Sequence, residues 1–251
     1  MTAPIGVVDW GIGGLGVALA IEALAPGTPI TYWSDTGAPP YGLLTAPALT
    51  ARLRAVVSRL ADRGCREVVV ACNAASTVLG RLGPNPVPVV GIIEAGIAEG
   101  RSVTGRLGVV GGRRTIRSGA YRRALAEDGR VVVSRVAQPL SAHIEAGRIG
   151  TAAFERDLRR VVAPLRSADA VLLACTHYPA AGAAFAAALP GTTLLDPARR
   201  LAGEVVGRAG APAGRRRRRD WEVGTTGDPE ATRRAAELAW GVELPAVGRL
   251  A

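Results

Sequence analysis

The sequence predicts an α/β protein of two similar domains, each built on a mainly parallel sheet. Three observations predict it. Short apolar runs alternate with helical-period segments along the chain, the pattern of successive βαβ units. Two pairs of segments resemble each other: Ile5-Gly6-Val7-Val8 with Leu107-Gly108-Val109-Val110, and Val68-Val69-Val70-Ala71-Cys72 with Val171-Leu172-Leu173-Ala174-Cys175. Their offsets, 102 and 103 residues, nearly match, which implies two units of similar length. At 251 residues the chain is also long enough for two modest α/β domains, each with its own core.

In order, the apolar runs predict strands at Ile5–Asp9, Ile30–Ser34, Glu67–Ala71, Val87–Gly91, Leu107–Val110, Val131–Ser134, Ala170–Ala174 and Thr193–Leu195. Helical periodicity predicts Leu15–Leu24, Pro47–Arg63, Thr115–Ala126, Thr151–Leu165 and Pro229–Ala239. Asp128-Gly129 and Gly147-Arg148 read as stops or turns.

Composition narrows the chemistry. Nearly half the residues are hydrophobic, which argues against disorder. No apolar run reaches the length of a membrane span, so no membrane contact is expected. Met1-Thr2-Ala3-Pro4 lead into a strand-like segment without a basic region ahead of an apolar stretch, so no signal peptide is expected either. Three scattered cysteines make no disulfide framework, and a reduced, cytoplasmic setting is the expectation. All 31 basic residues are arginine. Without lysine there is no amine for a pyridoxal phosphate Schiff base and no P-loop lysine, which excludes both classes.

A formal net charge of +10 raises the question of nucleic acid. The densest block, Arg215 to Arg219, lies behind Ala211-Pro212-Ala213-Gly214 and reads as a solvated loop, with phosphate binding as the alternative. No aromatic residue interleaves with these arginines, so a stacking platform for single strands is not indicated and no nucleic-acid partner is expected.

The candidate chemistry lies at strand ends. In an open α/β sheet ligands bind beyond the carboxyl ends of the strands, and here two buried strands each end on Ala-Cys. Were the two units to face each other, Cys72 and Cys175 would share one cleft. Two acid/base groups on opposite sides of a carbon suit removal of a proton from one face and return to the other. Cysteine can serve when donors or cations stabilise its thiolate. A single buried cysteine is ordinarily a small hydrophobe, and Cys65, in Asp62-Arg63-Gly64-Cys65, fits that description. Cys72 and Cys175 differ, being followed by Asn73 and by Thr176-His177. Asp9 ends the first strand beside a glycine-rich turn, as a helix cap or as a catalytic carboxylate. His177 stands two residues after Cys175, where the two can share an orientation.

Two other chemistries compete. Gly11-Ile12-Gly13-Gly14-Leu15-Gly16 satisfies the dinucleotide fingerprint G-x-G-x-x-G, and Asp35 falls about twenty residues on, where a ribose-binding acid would sit. That reading leaves the repeated Ala-Cys strand ends without a role. Cys72, Cys175, His177 and Asp9 could instead group as metal ligands, though no close CxxC or HxxxH spacing supports it.

Several segments together resemble bacterial glutamate racemases, of the aspartate/glutamate racemase family. They are Ile5 through Leu15, Ser34-Asp35-Thr36, Pro40-Tyr41-Gly42, Ala71-Cys72-Asn73-Ala74-Ala75-Ser76, Gly91 through Gly96, Ser118-Gly119-Ala120-Tyr121, Ala174-Cys175-Thr176-His177-Tyr178-Pro179 and Thr225-Thr226-Gly227-Asp228-Pro229. They occur in order over nearly the whole chain, which makes the resemblance far more specific than any lone motif. It implies two pseudo-twofold-related domains with the active site in the cleft between them, and no cofactor or metal. The expected division is residues 1–93 with 206–251, and 94–205. The resemblance further implies that Cys72 and Cys175 are the acid/base pair. Asp9 would support the first, and His177 with Glu145 the second. Tyr41 and Gly42 would hold the distal carboxylate of a small acidic amino acid, while Asn73 and Thr176 would hold its amino-acid end.

The chain departs from the family at two positions, with Trp10 where serine is usual and Ala74 where threonine is usual. Both changes remove a hydroxyl expected to touch substrate. The expected activity is therefore racemisation of glutamate or a related acidic amino acid. An isomerase or decarboxylase acting on a different carboxylic acid is the enzymatic alternative. A non-catalytic, arginine-rich binding scaffold is the other. A homodimer is compatible with the reading.

Overall fold

Among the described residues, ten strands alternate with helices along the chain and collect into two all-parallel sheets. The computed structural model describes residues 2–126, 129–209 and 220–250. The strands are β1 (Ile5–Asp9), β2 (Ile30–Ser34), β3 (Glu67–Val70), β4 (Val89–Gly91), β5 (Leu107–Gly111), β6 (Val132–Val136), β7 (Ala170–Ala174), β8 (Thr193–Leu195), β9 (Trp221–Thr225) and β10 (Val247–Arg249). The helices are α1 (Leu15–Leu24), α2 (Ala46–Asp62), α3 (Asn73–Ser76), α4 (Ile92–Arg101), α5 (Arg113–Ser118), α6 (Ala120–Leu125), α7 (Gln138–Glu145), α8 (Ala152–Val162), α9 (Gly182–Ala188), α10 (Pro197–Ala209) and α11 (Pro229–Trp240).

The first sheet runs β10-β9-β2-β1-β3-β4 and the second β6-β5-β7-β8. Within them, β2-β1-β3-β4 and β6-β5-β7-β8 follow the same order, so the sequence repeat is a repeat of topology. Its registers agree as well: Ile5 sits opposite Glu67 and Leu107 opposite Ala170. Successive side chains of a strand face opposite ways. Val7 and Val110 accordingly join a central core shared by both units, while Val8 and Val109 enter separate outer cores. Burial on both faces accounts for the near-continuous apolar runs. Helix α10 packs against both α1 and α4.

The structure differs from the sequence expectations in identifiable places. The helix expected over 115–126 is two helices. Gly119 between them has φ 70°, and the Ser118 hydroxyl accepts from Ala120 N at the start of the second. The stretch expected to continue to Leu165 leaves α8 for a single 3₁₀ turn, Ala163–Leu165. Strands β9 and β10 were not foreseen, and they bring the C-terminal segment to the outer side of β2. Arg215 to Arg219, and Asp128 of the expected Asp128-Gly129 turn, lie outside the described residues. Among the described residues no helix is long and apolar enough to cross a membrane.

Candidate active site

The carboxyl ends of β1, β3, β5 and β7 border one cavity of about 370 Å³. Asp9 is the last residue of β1 and is buried. Its Oδ1 accepts from Trp10 N at 2.7 Å, and its Oδ2 accepts from the Thr176 hydroxyl at 2.7 Å. Thr176 follows β7 in the second sheet, so this bond joins the two strand repeats. Cys72 stands two residues beyond β3, and Cys175 directly follows β7. Both line the cavity, together with Asp9, Trp10, Tyr41, Gly42, Asn73, Ala74, Glu145, Thr176 and His177. Cys65 is buried elsewhere, in the outer core beneath α2.

The glycine-rich turn after β1 has a steric explanation. A Cβ on Gly11 would stand 2.4 Å from the Glu145 carboxylate, and one on Gly13 would stand 2.6 Å from His177 Nδ1 and from Thr176 Oγ1. Glycine lets residues of the second unit approach the turn's backbone directly. Ile12 N donates to Glu145 Oε2 at 3.1 Å, while Tyr32 and Trp240 hold the turn through the carbonyls of Gly11 and Ile12. The dinucleotide alternative fails at its acidic position. Asp35 is fully buried, and its carboxylate already accepts from Tyr41 Oη at 2.7 Å, Thr226 Oγ1 at 2.9 Å and two nitrogens of Arg52. No oxygen is left for a ribose. Among the described residues no group of three or more His, Cys, Asp and Glu side chains is arranged to hold a metal ion, so the alternative metal grouping is not formed.

The two ends of the cavity differ in electrostatics. Burial pushes the Cys72 thiol well above its usual range, and the nearby Asp9 charge adds to the effect. Burial also raises Asp9, against the opposing charge of His177 and the bonds from Thr176 and Trp10. At the other end burial works against the His177 charge. Its contacts with Cys175 and Glu145 outweigh burial and hold the imidazole well above the usual histidine range. His177 Nε2 lies 2.6 Å from Glu145 Oε2, and Nδ1 lies 3.9 Å from Cys175 Sγ. One cysteine thus has a carboxyl neighbour and the other an imidazolium.

A family model for Asp/Glu/hydantoin racemases matches residues 5–205. The chain belongs to the Asp/Glu/hydantoin racemase family. A glutamate racemase of Mycobacterium tuberculosis is 37% identical over 218 residues, 81% of this chain and 78% of that protein. The crystal structure of glutamate racemase from Thermus thermophilus in complex with β-chloro-D-alanine has a TM-score of 0.88 at 32% identity, covering 100% of this chain and 97% of that one. Escherichia coli glutamate racemase, in complex with L-glutamate and the activator UDP-MurNAc-ala, has a TM-score of 0.84 at 26% identity, covering 99% and 98%.

The cavity of this racemase-family chain holds polar groups the sequence did not single out: Arg114, Thr115, Gln138 and Ser141. The repeat carried a signal for the first two, since they follow β5, the counterpart of β1. Gln138 and Ser141 lie on α7, where only Glu145 was marked. Other side chains are committed to the scaffold. The Tyr41 hydroxyl is committed to Asp35. Trp10 Nε1 donates to the Ala38 carbonyl at 2.9 Å, which fixes its ring as part of the wall. Asn73 Oδ1 accepts from Tyr121 Oη at 2.7 Å, while its buried Nδ2 has no partner among the described residues.

Proposed function

We propose that the chain interconverts L- and D-glutamate without a cofactor, using Cys72 and Cys175 as its two acid/base groups. The observation that carries this reading is that the two cysteines border one cavity from equivalent strand ends of two equivalent sheets. We read the chain as two units, residues 1–93 with 206–251 and residues 94–205, which contribute one cysteine each.

A thiolate at Cys175 takes the α-proton of one enantiomer, leaving the electron pair on the α-carbon. The Cys72 thiol then gives its proton to the opposite face. The products are the other enantiomer, a Cys175 thiol and a Cys72 thiolate; after release Cys175 gives a proton to solvent and Cys72 takes one, which restores the start. Environment suits this division: burial and Asp9 favour the thiol at Cys72, and the His177 imidazolium lies against Cys175. Asp9, raised by burial, can take and return a proton on the Cys72 side. Glu145 fixes the orientation of the imidazole on the other. Asn73 Nδ2, without a partner among the described residues, is a donor for the substrate's amino-acid end, because a buried unpaired donor is costly until a ligand satisfies it. The backbone of Tyr41 and Gly42 faces the distal carboxylate.

The test is loss of optical rotation from L-glutamate and from D-glutamate by the purified chain in metal-free buffer with a chelator. Both solutions reach the same racemic end point on this reading. Activity that appears only with an added nicotinamide nucleotide or divalent metal contradicts it.

A further inference from the structure

Two cationic side chains line the cavity among the described residues, and only one of them is neutralised. His177 pairs with Glu145, whereas Arg114 forms no ion pair with any described carboxylate. Arg114 belongs to α5 of the second sheet's unit, but it is fastened to the loop of the first. Its Nε donates to the Tyr41 carbonyl at 3.2 Å and its Nη2 to the Leu44 carbonyl. Its Nη1 has no partner among the described residues. A full positive charge is therefore fixed on the cavity wall beside the loop that carries Tyr41 and Gly42. Gln138 and Ser141 are neutral and leave that charge unmatched.

We propose that Arg114 is a specificity residue, supplying the charge that selects an amino acid with a second, anionic group on its side chain. This rests on the racemase reading above and deepens it. The α-ammonium and α-carboxylate of any amino acid cancel, so a further positive charge on the wall adds to the backbone donors a preference for an acidic side chain. Asp9 and Glu145 cannot provide it, and His177 is already paired. Arginine suits the task because its guanidinium can hold two backbone carbonyls through Nε and Nη2 while keeping donors for a carboxylate. The same bonds hold the Tyr41–Gly42 backbone against the second unit, so the charge and the loop are positioned together.

The experiment compares the native chain with Arg114→Gln and Arg114→Lys, measuring kcat and KM for glutamate and the inhibition constant of glutamine, its neutral isostere. The Gln variant is expected to raise KM for glutamate by about ten- to a hundredfold, with glutamine binding unchanged or tighter. The Lys variant, which keeps the charge, is expected to retain most of the preference for glutamate. Equal weakening of both ligands in the Gln variant would show a loop tether only and overturn the inference. Unchanged glutamate kinetics in that variant would overturn it as well. Native racemisation of glutamine but not glutamate would overturn it while leaving the two-cysteine mechanism intact. No turnover of either by the native chain removes the reading on which it rests.

Discussion

At the scale of single residues, what distinguishes Cys72 from Cys175 is the company each keeps. A carboxyl and burial hold a proton on one, and an imidazolium faces the other. The eleven positions named from the sequence, Asp9 to His177, do border one cavity. Asp9, Cys72, Cys175 and His177 were legible because acid/base side chains stand at or beside strand ends, and the others followed from the family resemblance. Arg114 was not, because its neighbours Arg113 and Arg117 look the same in sequence and only the fold brings one of the three to the wall. Trp10 and Ala74 stand where the family resemblance leads one to expect serine and threonine. Both line the cavity, but the Trp10 ring is anchored to Ala38 and structural, whereas the Ala74 methyl can be extended without breaking a side-chain bond. Ala74→Thr is therefore expected to raise kcat/KM for glutamate by roughly tenfold, the gain from one hydrogen bond to a charged ligand. Trp10→Ser loses the Ala38 bond and wall packing, and lowers Tm. Steady-state kinetics checks the first and a thermal melt the second, and an unchanged or reduced kcat/KM for Ala74→Thr would show that the substrate's amino end does not reach position 74.

Elements decide how close the two halves of the site can come. The turn between β1 and α1 reads as a dinucleotide loop when its glycines are considered alone. The structure gives them another purpose, which is room for Glu145, Thr176 and His177. Gly13→Ala is expected to lower kcat at least tenfold, because a Cβ 2.6 Å from two side-chain atoms must push His177 or Thr176 aside. Gly80→Ala, where nothing lies within 4 Å of the added carbon, is the control and should behave as native. Native-like turnover by Gly13→Ala would mean that the turn does not set the position of His177. The strands of the repeat were legible because burial on both faces leaves long apolar runs. β9 and β10 were not: Trp221-Glu222-Val223-Gly224-Thr225 has no two adjacent apolar side chains, and β10 is a three-residue edge strand. The break at Gly119 was hidden for a different reason. A lone glycine in a helical period reads as tolerated, and only its left-handed φ reveals a helix end.

For the whole molecule, the contacts that assemble the site also tie its two sheets together, so catalysis and stability share groups. The Glu145–His177 pair is the clearest example. Its partners hold the histidine pKa in the folded chain well above the usual value, which is close to that of the unfolded chain. The native state therefore binds this proton more tightly, and the resulting stability is complete below about pH 6.5 and is lost as pH rises through the native value. The Tm difference between the native chain and Glu145→Gln should accordingly be largest near about pH 6, roughly 2–10 °C, and should narrow as the medium becomes alkaline. A gap that widens with pH would reverse the assigned charge state of His177. The central claim is that two cysteines act from opposite faces of one carbon, and α-proton exchange in heavy water tests it most directly. The native chain should put deuterium on the α-carbon of both enantiomers of glutamate. Cys72→Ser and Cys175→Ser should each fail to racemise, and each should exchange only one enantiomer, the two variants taking opposite ones. Racemisation at the native rate by either variant, or exchange of the same enantiomer by both, would contradict the two-sided mechanism.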